Sequence, residues 1–149
     1  MYIKSREESL ADLSEKLSDV QLKKAITQGY SDISLSEISR YKKEYAAVFF
    51  DSHYSASTIN KLTEAYAKDK LTPSDLFQVI KYTPYNARNE PYVDDFLKSI
   101  DNGFYHETAV KTFSAVLYEK CSYKEAMEYV KSGAFRPTEY ASLSVTKNL

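Results

Sequence analysis

The chain has 149 residues, the length of one ordinary domain, and its 43% hydrophobic content with only 3 glycines and 4 prolines excludes a disordered or loop-dominated polymer. Lys plus Arg (20) nearly cancels Asp plus Glu (21), which speaks against a polyanion mimic and against an indiscriminate nucleic-acid binder. A lone cysteine, Cys121, excludes an intramolecular disulfide. The sequence lacks an N-terminal apolar signal region and any charge-free apolar stretch of about 18 residues, so the expectation is a soluble, cytoplasmic protein.

Residues 6–17 place Leu10, Leu13 and Leu17 on one helical face, with residues 1–9 expected to extend as an arm. Ser18 and Gln21 then have capping-box spacing, opening a helix that carries Leu22, Ala25 and Ile26 and stops at Gly29. The same spacing at Ser34 and Glu37 predicts a helix with Leu35, Ile38, Tyr41 and Tyr45 on one face, passing into the apolar run 46–50. A fourth helix uses Ile59, Leu62, Ala65 and Tyr66 and ends near Asp69, where no glycine is available. Thr72, Pro73 and Asp75 form a capped start for a short helix through Ile80. Pro91 is expected to open the next helix, with Val93, Phe96, Leu97 and Ile100, closed by Gly103. Residues 106–120 have the spacing of a well-buried helix, Ser122 and Glu125 cap another that ends at Gly133, and residues 144–149 are expected to fray. Gly29, Gly103 and Gly133 each follow a helical run and precede an aromatic, the setting of a left-handed helix stop. The fold class is therefore all-α: a compact single-domain bundle of about eight short helices over residues 1–149, arranged as consecutive helical hairpins.

Function is far less legible. The loop 82–92 concentrates Tyr82, Tyr85, Asn86, Arg88, Asn89 and Tyr92. Tyrosine offers a stiff apolar face with a hydroxyl and arginine a planar multidentate donor, a mixture suited to a protein-binding hot spot. Residues 21–40 supply a second pattern. Ala25 sits four before Gly29, where a small residue lets two helices approach, and Leu35 and Ile38 follow at six and nine after it. This segment resembles the helix-turn-helix of phage repressors, although Lys24 and Gln28 stand where that family places apolar core residues. The resemblance implies a reading helix over residues 33–40 with Ser34, Ser36, Glu37 and Arg40 at bases and Lys42 and Lys43 near phosphates, acting on DNA as a dimer.

His53 and His106 lie far apart, with no Cys or carboxylate at metal-ligand spacing, and His106 is expected at a helix start. Asp94 and Asp95 are adjacent on a helix and diverge by about 100°, a poor acid/base pair. No phosphate-cradling, nucleophile-elbow or zinc-protease motif occurs, so no enzyme activity, catalytic residue, metal or cofactor is expected. The expectation is a non-enzymatic helical binding protein acting through a protein–protein interface. The alternatives are a DNA-binding regulator using residues 21–40 and a structural assembly subunit. Small size, a Lys/Ser/Tyr-rich composition and the lack of metabolic motifs suit an accessory or inhibitor protein of a phage or mobile element.

Overall fold

Amides at a helix start lack intrahelical partners, and here hydroxyl side chains supply them. In the computed structural model, which describes residues 2–82, 87–88, 90–119 and 121–133, six helices begin at a serine or threonine whose oxygen accepts from the third helical amide. The helices are α1 (Arg6–Ser14), α2 (Asp19–Thr27), α3 (Asp32–Ser39), α4 (Lys43–Asp51), α5 (Ala56–Ala67), α6 (Pro73–Phe77), α7 (Tyr92–Asp101), α8 (His106–Glu119) and α9 (Tyr123–Lys131). A π-helical turn over Gln78–Tyr82 continues α6. No strand occurs among the described residues, and the all-α class holds.

These residues form two compact units that divide between Asp69 and Lys70. In the first, α3 is central and packs mainly on α1 and α5, while α2 lies against α1 and α4. All six residues from Ser34 to Ser39 are buried. Its small hydroxyl side chains permit close approach and are satisfied locally. The Ser34 hydroxyl meets those of Ser31 and Thr63, and Ser36 accepts from the Lys4 amide at 2.9 Å. By contrast α2 buries only Ala25; Val20 is 81% exposed and Ile26, expected on the apolar face, is also exposed.

The long helix expected from Ser34 to residue 50 is two helices, and the N-cap of the first is Ser31 rather than Ser34. The break has a visible cause. Lys16 Nζ donates to the carbonyls of Ser39 and Tyr41, so the chain leaves α3 without stranding them. Tyr41 turns fully inward against Phe49 and Tyr66 at ring separations of 5.7 and 6.5 Å.

In the second unit α8 is central, packed on α7 and α9 and touched by α6 and the π turn. Ala109, Val110 and every residue from Thr112 to Leu117 are buried, as expected of a helix surrounded on all sides. At the end of α7, Gly103 at φ +93° lets its own amide donate to Ile100 and that of Phe104 to Ser99, a complete Schellman closure.

Candidate functional site

The turn between α7 and α8 presents Phe104, Tyr105 and His106 in succession, and the chain beneath it explains why they are held in place. Asp75, the third residue of α6, is completely buried. Its Oδ2 accepts from the Thr72 amide at 2.8 Å while the Thr72 hydroxyl accepts from the Asp75 amide at 3.1 Å, a reciprocal capping box. The same Oδ2 lies 2.7 Å from His106 Nδ1 at the first position of α8. The two atoms lie within ion-pair distance, although the geometry is not that of a hydrogen bond. Nδ1 is buried, so the exposed 30% of the imidazole belongs to its outer edge.

Tyr105 packs against that imidazole with ring centroids 4.4 Å apart and planes tilted by 52°, and is itself 63% exposed. Phe104, half-buried, carries the ammonium of Lys131 5.3 Å from its ring centroid, a cation–π contact reaching across from the last residue of α9. The result is an exposed aromatic surface set on an imidazole that a buried carboxylate anchors. Chemically it offers apolar ring area, a phenolic hydroxyl and an ammonium. No group of three His, Cys, Asp or Glu side chains able to hold a metal ion occurs among the described residues.

The residues singled out in the sequence are placed differently. Tyr85, Asn86 and Asn89 lie outside the described residues, as does the side chain of Tyr82. Arg88 is exposed. Tyr92 instead packs against the buried cluster of Ala115, Val116 and Ala126. Of the residues assigned to a DNA-reading helix, Ser34, Ser36 and Glu37 are buried inside the first unit. Arg40 is committed to Ser36 Oγ at 2.9 Å, to the Tyr2 carbonyl and to Glu37 at 3.5 Å. Lys42 and Lys43 are exposed at the start of α4, where Lys43 lines an open recess of about 380 Å³ with Lys16, Glu15 and Glu44. In that recess the two signs of charge balance. The face of α3 that the resemblance turns toward bases is here spent on packing.

Sequence reasoning placed His106 at a helix start but missed its partner, because Asp75 lies 31 residues earlier and belongs to a different helix. The run Gly103-Phe104-Tyr105-His106 was the available signal: two aromatics and a histidine directly after a helix stop. No protein-family model, no curated protein and no solved structure matches this chain.

Proposed function

We propose that the chain is a non-enzymatic helical binding protein that engages another protein through the α7–α8 turn, with Tyr105 as the central contact. The single observation behind this reading is the Tyr105 ring, 63% exposed yet packed, tilted and 4.4 Å away, against an imidazole that lies 2.7 Å from a buried carboxylate. An aromatic already held against a neighbouring ring has less rotamer freedom to lose on docking, so more of its contact energy is available for affinity. Tyrosine is also among the residue types that dominate interface energetics. Arg88, exposed within the 82–92 segment, is a second candidate contact. A module that recognises without reacting suits an accessory or inhibitory role, in which occupying a partner's surface is the whole activity.

The test is retention of a partner from native lysate by the immobilised full chain, followed by affinity measurement with the purified partner. Tyr105→Ala is expected to weaken that complex by about 30-fold, the effect of losing a hot spot of roughly 2 kcal/mol, with an unchanged melting temperature. Retention indifferent to both Tyr105→Ala and Arg88→Ala overturns the reading. So does tight, steeply salt-dependent binding to random duplex DNA, which assigns the chain to nucleic acid instead.

A further inference from the structure

We propose that the segment received by the Tyr105 turn is acidic: a peptide that sets a carboxylate on the Lys131 ammonium and an apolar or aromatic side chain on Tyr105. This rests on the protein-binding reading and narrows it to a ligand chemistry. The argument is electrostatic accounting around the turn. Three carboxylates there already have partners: Asp75 faces His106 at 2.7 Å, Asp101 binds Lys70 at 2.6 Å, and Glu107 binds Lys111 at 2.9 Å.

Lys131 differs from these cations. Among the described residues it makes no ion pair, not even with Glu128 three positions earlier, and its contact is the face of Phe104. An ammonium resting on a ring is attracted to the ring quadrupole but keeps three donors, and the ring supplies no lone pair to receive them. A carboxylate arriving on Lys131 therefore displaces no intramolecular carboxylate. The same approach lays the neighbouring side chain of the partner on Phe104 and Tyr105, where apolar area is exposed. A polyphosphate backbone is the poorer match, because its affinity comes from several cations neutralising successive phosphates, and this surface offers one ammonium set among rings.

The test uses the full chain and three fluorescein-labelled dodecapeptides in which Phe alternates with Glu, Ser or Lys, read by fluorescence anisotropy at low and moderate salt. The Glu peptide is expected to bind at least threefold more tightly than the Ser peptide, with the advantage shrinking as salt rises. Lys131→Glu is expected to reverse the order in favour of the Lys peptide, and Lys131→Gln to abolish the preference; both variants are checked for an unchanged melting temperature. Equal binding of the Glu and Ser peptides through Tyr105 overturns the acidic class while leaving the protein-binding reading intact. A Glu preference that survives Lys131→Glu also overturns it. A duplex oligonucleotide that outcompetes the Glu peptide removes both readings.

Discussion

Asp69 adopts φ +62° just after the C-cap of α5, the left-handed position that glycine fills after α2, α7 and α9. A Cβ crowds the following carbonyl there, and aspartate tolerates the strain better than most residues without escaping it. Asp69→Gly relieves that strain but loosens the unfolded chain, so the net gain is expected to be about 0.5 kcal/mol. Urea denaturation checks it: the midpoint should rise at constant m, and a fall would show that the aspartate side chain has a role of its own. Asp75 illustrates the complementary case. One buried oxygen serves both the start of α6 and the imidazole at the start of α8, so one residue joins a capping device legible from spacing to a contact that is not.

The helices of the first unit share a device that no single element contains. Carbonyls at a helix C-terminus favour a cation, yet α3 and α4 have no basic residue in their last turns. Cations from elsewhere serve them. Lys16 donates to Ser39 and Tyr41 beyond α3, and Lys24 of α2 donates to Phe50 at 2.9 Å and Ser52 at 3.1 Å at the end of α4. Arg6 of α1 treats the end of α2 in the same way through Ile26 and Tyr30. This explains why Lys24 stands where a repressor-like hairpin has an apolar residue: its stem packs and its ammonium closes a different helix. Lys24→Met keeps the stem and removes the donor, leaving two part-buried carbonyls to lose their partner. A destabilisation of about 1–3 kcal/mol is expected, measured by thermal or urea melts. A change within 0.3 kcal/mol of zero, on the order of surface substitutions, would assign the contact no weight.

At the scale of the molecule, burial of phenols in both units sets the response to alkali. Burial holds the hydroxyls of Tyr30 and Tyr41 in the first unit and Tyr123 in the second above the ordinary tyrosine range, Tyr41 most of all; only for Tyr123 does a hydrogen bond with Ser99 oppose the shift. Above about pH 10 the unfolded chain releases these protons while the folded chain retains them, so unfolding gains and stability falls as pH rises. Lys16 works in the opposite sense. Burial and the nearby Lys4 lower its proton affinity, so the folded state releases that proton first and stability rises toward the ordinary lysine range. With Tyr2, whose hydroxyl the hydrogen bond to Glu8 also raises, four phenols stand against one amine and make the net slope downward. Melting temperature followed from pH 8 to 11 is expected to drop above about pH 10, and Tyr41→Phe to make the drop shallower by up to about 1.4 kcal/mol per pH unit. Parallel profiles for the two proteins would remove Tyr41 as a cause.

Several helix starts and stops were legible from the chain because they are local chemistry, though the start of α3 at Ser31 was read three residues late. Ser18 with Gln21, Thr72 with Asp75, and Gly29 and Gly103 act within a few residues of themselves, where spacing alone dictates geometry. Which faces meet is settled over longer distances. The burial of Ser34, Ser36 and Glu37 follows from where α1 and α5 pack, and the split of α3 from α4 from the reach of Lys16. The anchored Tyr105 surface belongs to that second kind: its rings are consecutive in the chain, but the carboxylate and the ammonium that flank them come from α6 and α9. Periodicity cannot report such a meeting, because it reads the neighbours of a residue along one helix and is blind to those brought to it by packing.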